Sequence, residues 1–156
     1  MLKDLDRIDR KILHQLQDNA NISAAQLGED IGLSQAACWR RIQRLESEGY
    51  ILKRVAVLDP EKLGFGTLVL AHVRLSAHGR KHLEEFANAI KKLPQVLECF
   101  VLMGDQDFFL KVTVKDVYEY QEFFFEKLSS LKGVAEVKSA MALSRIKNEI
   151  AYPVLE

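Results

Sequence analysis

Residues 23–49 read SAAQLGEDIGLSQAACWRRIQRLESEG and contain two helical patterns separated by a glycine. Ser23 and Gln26 have the spacing of a capping box, which predicts the start of the first helix. Gly32 suits the left-handed residue that ends such a helix, and Ser34 suits the N-cap of the next one. Two helices joined by a short glycine-containing turn are typical of a helix-turn-helix.

An apolar stripe precedes this pair and predicts a third helix packed against it. Its members recur at three- and four-residue steps: Leu5, Ile8, Ile12, Leu13 and Leu16. Beyond the pair, the apolar residues form a nearly extended run over 51–58, which Asp59 and Pro60 close. This change of period predicts a helix-turn-helix domain with a linker strand over residues 1–58, and a second domain over 59–156.

The second half alternates strand-like and helix-like segments. The predicted strands cover 67–76, 96–103, 108–114 and 134–143, and the predicted helices cover 79–93 and 116–131. The order βαββαβ is that of a ferredoxin-like sandwich, in which both helices cover one face of an antiparallel sheet. The expected fold class is therefore α+β, a winged-type helix-turn-helix followed by a ferredoxin-like sandwich. Because the strands carry apolar residues on both faces, we expect the uncovered face to pack against another subunit.

The composition excludes several classes of protein. The 156 residues include 22 basic and 22 acidic side chains, so any affinity for nucleic acid must come from local charge. No apolar run is long enough to span a bilayer, and the start has no signal-peptide pattern. The two cysteines, Cys38 and Cys99, are far apart and lack the second pair that a zinc cluster requires. We therefore expect a reduced cytoplasmic protein with no membrane segment.

The third predicted helix has a solvent face suited to the major groove of DNA. Stepping about 100° per residue from a buried Cys38 places Ala36, Arg40, Gln43 and Arg44 on the opposite side. Arginine can bridge guanine acceptors, and glutamine can pair with adenine. The predicted DNA-contacting residues are Ser23, Ser34, Gln35, Ala36, Trp39, Arg40, Gln43 and Arg44.

The alternative for this helix is an ordinary solvated face. Between Gln35 and Arg54 five basic residues stand against two acidic ones, a local excess that favours DNA contact. Trp39 either contacts the sugar-phosphate backbone or covers the helix pair. Arg41 lies nearer the buried edge, where pairing with an acid of the first helix is the expected structural role.

Other chemical patterns are weak. His78 and His82 have one metal-ligand spacing but no third ligand, and no phosphate loop or nucleophile motif occurs, so no metal, cofactor or catalytic residue is predicted. The loop 103–108 carries Asp105 and Asp107 and is either a plain hairpin turn or a ligand site. In the second case its amides would hold a carboxylate and an aspartate would hold an ammonium, a pairing that suits an amino acid.

The chain resembles the Lrp/AsnC (leucine-responsive/asparagine regulator) family of transcription factors over essentially its whole length. The resemblance lies in LDRIDRKIL at 5–13, GLSQAACWRRIQRLE at 32–46, GDQDF at 104–108, and the pair Ile146-Lys147. It implies homodimers joined through the sheet domain, assembly into octamers that wrap double-stranded DNA, and a nucleoid location. It also implies an amino-acid effector between dimers. The candidate effector residues carried over by position are Met103, Gly104, Asp105, Gln106, Asp107, Ser139, Ala140, Met141 and Ala142.

The leading hypothesis is therefore a sequence-specific transcriptional regulator that senses a small molecule, and not an enzyme. Siroheme decarboxylase subunits resemble the same two-domain plan but need histidines or arginines around a tetrapyrrole, whereas the histidines here are scattered. An architectural DNA-binding protein without an effector is a third interpretation.

Overall fold

The computed structural model describes residues 5–77 and 79–154, which form two compact units. The helical unit runs as far as Val57 and includes the segment from Lys147 onward, whereas the sheet unit is Leu58–Ile146. The sequence-based boundary assigned 147–156 to the second domain. The structure groups them with the helices because the Gln17 side-chain amide binds the Tyr152 backbone, accepting from its N–H at 2.6 Å and donating to its carbonyl at 3.0 Å.

The helical unit contains three helices around a small core. They are α1 (Arg7–Asp18), α2 (Ala24–Ile31) and α3 (Gln35–Ser47). Five buried side chains form the core: Ile12, Leu27, Cys38, Ile42 and Leu45. The other members of the predicted α1 stripe pack partly buried around it, so the helical period in the sequence correctly predicted the inward faces.

The helix caps differ in one respect from the prediction. Ser23 Oγ accepts from the Gln26 N–H at 3.1 Å, as expected, but the Gln26 side chain donates forward to Asp30 instead of back to the cap. The reciprocal capping box lies at α1, where the Asp6 and Asp9 carboxylates each accept from the other's backbone N–H. The predicted capping box at α2 is therefore wrong in its second half.

The turn between α2 and α3 is tightly packed. Gly32 ends α2 in the left-handed conformation at φ 76°, and Ser34 Oγ caps α3 by accepting from the Ala37 N–H at 3.3 Å. The Gly28 carbonyl accepts from the Leu33 N–H at 2.8 Å, and a Cβ at Gly28 would lie 2.7 Å from the Leu33 carbonyl oxygen. The turn therefore requires glycine at both positions.

The sheet unit has the predicted βαββαβ order. Its elements are β1 (Thr67–Leu75), α4 (Arg80–Ile90), β2 (Val96–Val101), β3 (Phe108–Val114), α5 (Val117–Glu122), which continues as a π-helical segment (Phe123–Leu128), and β4 (Val134–Met141). The strands are antiparallel in the order β2-β3-β1-β4. This is the ferredoxin-like arrangement.

One face of the sheet forms the core. Along β3 every second residue is buried, from Phe108 to Val114, and these side chains pack with Phe86 and Ile90 of α4. On the opposite face Leu68, Leu70 and Phe109 are only half-buried. The prediction of apolar residues on both faces therefore holds.

The segment between the two units differs from the prediction. Within the part of the chain that the structure describes, residues 51–58 form no strand, although Leu52, Val55 and Val57 are exposed and apolar. An extended run becomes a strand only where a neighbouring strand pairs with it, and none does so here. No helix in the described ranges is long and apolar enough to cross a membrane.

Candidate nucleic-acid interface and effector site

The solvent face of α3 gathers the predicted DNA-contacting residues. All eight, including Ser23 at the start of α2, are exposed. Arg40 extends from α3 and has no ion pair in the described part of the chain. Trp39 is 55% exposed, which favours its availability to a partner over the packing interpretation. Cys38 is buried, and burial raises the pKa of its thiol, in agreement with a role as a small core residue.

The other two arginines of α3 are bound to carboxylates of the α1 N-terminus. Arg41 Nη1 donates to Asp6 Oδ2 at 2.6 Å and to Asp9 Oδ1 at 2.8 Å, which is the structural role expected for it. Arg44 Nη2 donates to Asp9 Oδ2 at 2.5 Å. The hydrogen bond from the Asp9 N–H, followed by the Arg41 contact, holds the pKa of the Asp6 carboxyl below its usual value. These contacts fix α3 against α1.

Gln43 is also engaged, although its contact lies on the surface. Its Nε2 donates to Glu46 Oε2 at 3.0 Å, and Glu46 Oε1 accepts from Arg54 at 3.0 Å. Since all three side chains are near solvent, replacing the Gln43–Glu46 hydrogen bond by one to a base edge costs little free energy.

The loop between β2 and β3 is exposed at its first residues and hydrogen-bonded to β1 at its last. Gly104 has φ 152°, a conformation that L side chains rarely adopt, and Met103 is fully exposed. Asp107 holds the strand end instead, because its N–H donates to the Val73 carbonyl at 2.9 Å and its Oδ2 accepts from the Leu75 N–H at 2.7 Å.

The loop contains one polar atom of particular interest. Gln106 Oε1 is buried and has no hydrogen-bond partner within the described residues. Asp105 beside it is exposed. The loop therefore offers a ligand one buried amide oxygen and one exposed carboxylate.

The second predicted effector group runs along β4 from the middle of β1 to its start, since Ser139 pairs with Ala71 and Met141 pairs with Val69. Ser139 Oγ is 2.5 Å from the Tyr120 hydroxyl on the helix-covered face, and the Ala142 N–H donates to the Leu68 carbonyl at 2.9 Å. Ala140 and Met141 are exposed. The loop meets β1 at Val73, and five residues at about 3.3 Å each separate that point from Leu68 by roughly 16 Å. The loop and Ala142 are therefore far apart within one chain, whereas Ser139, opposite Ala71, lies two residues of β1 from the loop contact.

The clefts of the sheet unit add little to this site. Ala142 lines a shallow cleft of about 360 Å³ with Asp59, Leu68 and Arg145, and the loop residues do not line it. Within 5–77 and 79–154 no group of three metal-ligating side chains occurs, and His78 of the weak histidine pair lies outside the described residues.

Comparison with known families agrees with both units. A family model described as a winged helix-turn-helix DNA-binding domain matches residues 5–51, and the model of the Lrp/AsnC ligand binding domain matches residues 68–152. The chain belongs to the Lrp/AsnC family.

Individual Lrp/AsnC proteins match along nearly the whole chain. The Bkd operon transcriptional regulator of Pseudomonas aeruginosa is 40% identical over 153 residues, covering 98% of this chain and 100% of that protein. The DNA-binding transcriptional activator DecR of Escherichia coli is 33% identical and covers 96% of this chain and 99% of its own. A transcriptional regulator of Neisseria meningitidis, solved as a complex with L-methionine, has a TM-score of 0.92 and 32% identity, with 97% of each chain covered. The resemblance noted in the sequence is thereby confirmed.

Sequence reasoning missed three residues that shape this Lrp/AsnC chain. Asp9 was not singled out, although it stands three residues before the buried Ile12 and so within the inward face of α1. Gly28 was not recognised as a close-approach glycine, since its contact lies across the turn. Gln17 has no sequence signal for its binding of Tyr152, which is 135 residues away.

Proposed function

We propose that this protein is a sequence-specific DNA-binding transcriptional regulator whose DNA binding or assembly responds to an amino acid. The observation that carries the proposal is the exposed polar face of α3 within a helix-turn-helix, joined to an Lrp/AsnC ligand binding domain. A relative that binds L-methionine supports an amino acid as the class of effector. Action on DNA would place the protein at the nucleoid in the cytoplasm.

In the proposed complex α3 lies in the major groove. Arg40 and Gln43 read base edges, and Gln35 and Ala36 lie at the end of the helix that approaches the groove most closely. Ser23 and Ser34 contact phosphate oxygens at the N-termini of α2 and α3, with Trp39 against the backbone. Arg44, the remaining predicted contact, has its guanidinium bound to Asp9.

The first experiment removes the proposed base contacts. Arg40→Ala and Gln43→Ala leave the buried face intact, so we expect normal circular dichroism and a loss of about 1–3 kcal/mol in preference for selected over random DNA. Ser47→Ala on the same helix is a matched control, because Ser47 lies beyond the proposed contacts. Two well-folded variants with undiminished preference would contradict the recognition face.

The effector site is proposed to form between copies of the chain. Within one chain the loop Met103–Asp107 meets β1 at Val73, whereas Ser139–Ala142 run beside β1 from Ala71 to Leu68, so a pocket that uses the loop together with Ala142 needs a second protomer. We propose dimers joined through the open sheet face that carries Leu68, Leu70 and Phe109, and octamers built from them.

Light scattering tests this assembly. Leu70→Lys places a charge on the half-buried face without touching the core, so we expect a shift to monomer at micromolar concentration. Lys111→Leu removes a charge from the same face and should leave the oligomer in place. A monomeric wild-type protein would contradict the proposal.

Calorimetric titration with the twenty amino acids tests the effector. Gly104→Arg strains the loop at φ 152° and should abolish the response while DNA binding by the unliganded protein survives. Asp107→Ala is a less selective probe, because it also removes the acceptor of the Leu75 N–H. If Asp107→Ala lowers the melting temperature and keeps a normal titration, Asp107 supports the loop only.

A further inference from the structure

Asp9 is the buried charged side chain of the helical unit. No other charged side chain among the described residues is buried. The Asp9 side chain is 1% exposed, and both of its carboxylate oxygens accept hydrogen bonds. Oδ1 accepts from Arg41 at 2.8 Å, and Oδ2 accepts from Arg44 at 2.5 Å and from the Asp6 N–H at 3.2 Å. A carboxylate in this position is stable only while its arginines remain in place.

The contacts decide how much positive charge α3 presents to DNA. Its three arginines are Arg40, Arg41 and Arg44, and the two carboxylates at Asp6 and Asp9 balance the last two. Arg40 is left as the cation that faces solvent with no ion pair in the described part of the chain. The basic excess counted in the sequence is therefore much smaller on the surface that would meet DNA.

Arg44 is placed where a phosphate would compete for it. Its side chain is 44% exposed and lies one turn after Arg40 on the same face of α3. Guanidinium groups bind carboxylates and phosphates through the same donors. Without Asp9, the Arg44 guanidinium would be free to bind the DNA backbone.

We infer that Asp9 is a positioning residue that limits the sequence-independent affinity for DNA by binding the Arg44 guanidinium in place of a phosphate. Phosphate contacts strengthen binding to every sequence alike, whereas base contacts discriminate. Holding Arg44 away from phosphate therefore lowers the affinity for random and selected DNA alike and leaves discrimination to Arg40 and Gln43. The inference rests on the proposed DNA binding.

The salt dependence of binding to a random-sequence duplex tests this role in the full-length protein. Each phosphate neutralised by a cation adds about 0.9 to the slope of log K against log salt, measured by fluorescence anisotropy between 50 and 200 mM salt. Arg44→Gln should leave the slope at the wild-type value. Arg40→Gln, the matched control, should reduce it, because on a random sequence Arg40 meets no matching base and its guanidinium contacts a phosphate instead. Asp9→Asn should increase the slope by about 0.9 for each helix-turn-helix bound to the duplex. The double variant Asp9→Asn with Arg44→Gln should return the slope to the wild-type value.

The outcomes separate this inference from the function on which it rests. If Arg44→Gln reduces the slope as much as Arg40→Gln, or if folded Asp9→Asn leaves it unchanged, Asp9 does not hold Arg44 away from phosphate. A purely structural Asp9 would weaken binding on substitution without increasing the slope. If Asp9→Asn does not fold, the comparison of Arg44→Gln with Arg40→Gln decides alone. Wild-type protein that binds no duplex at 50 mM salt would instead contradict DNA binding itself.

Discussion

The two units stabilise their interiors in different ways. The sheet unit has a core of thirteen buried side chains and no buried charge among its described residues, whereas the helical unit has five buried apolar side chains and the buried carboxylate of Asp9. A small unit buries too little apolar surface to fix three helices by packing alone. Its ion pairs use arginine guanidinium groups, which also bind phosphate, so stability and DNA binding are coupled in the helical unit. In the sheet unit the buried core lies on one face and the proposed interface lies on the other.

The largest expected effect lies in the apolar core. Phe108 is fully buried, with its ring 4.4 Å from that of Phe86, so Phe108→Ala should destabilise the sheet unit by about 3–5 kcal/mol. Urea denaturation should show an earlier transition by circular dichroism. The fluorescence of Trp39, the single tryptophan, should keep its midpoint because it reports on the helical unit.

A control and a contrary result sharpen this comparison. Phe125→Ala removes a ring that is 63% exposed and should change either midpoint by no more than about 0.5 kcal/mol. If Phe108→Ala shifts the Trp39 transition equally, the two interiors unfold as one and the comparison fails.

An intermediate effect is expected at the turn of the helical unit. Gly28→Ala would place a Cβ 2.7 Å from the Leu33 carbonyl oxygen, so the turn must open, at a cost of about 1–3 kcal/mol. We expect an earlier Trp39 transition and weaker DNA binding. Gly66→Ala, whose Cβ would be 3.4 Å from the Lys115 carbonyl oxygen, is the tolerated control in the sheet unit. Equal losses from both substitutions would mean that close approach is not the cause.

The smallest effect concerns pH. The folded pKa of Asp6 lies below its ordinary value of 3.8, chiefly because its carboxylate accepts from the Asp9 N–H. Its contribution to stability is therefore complete above that ordinary value and is lost as the pH falls through the lower folded pKa. Asp6→Asn keeps the cap and removes the charge, so the acid-induced shift of the Trp39 midpoint should become smaller. An identical acid profile in wild type and variant would assign the pH dependence to other groups.

Much of the fold was predictable because it depends on local periodicity. The change from a helical period to strands separated the two halves, and the strand and helix spans agree with the structure to within a few residues at most ends. Long-range pairing was not predictable in the same way. The run 51–58 has the pattern of a strand but no partner, and the Tyr152 segment binds Gln17 across the length of the chain.

The sequence by itself determined the two-part α+β plan, the inward faces of the helices, the exposure of the α3 residues and the family, since period, caps and motif spacing are properties of neighbouring residues. Only the tertiary structure decided which charges remain available. Arg40 and Arg44 occupy equivalent places on the helical face, yet Arg44 meets Asp9 from another helix and Arg40 does not. Likewise, the loop at 103–107 and the segment 139–142, which departs from the family pattern in its residues, were both assigned by position in the family, but the antiparallel sheet places the loop at Val73 and the segment beside 68–71 of β1. Contacts between distant residues depend on how the elements pack, and that information is not contained in any local pattern.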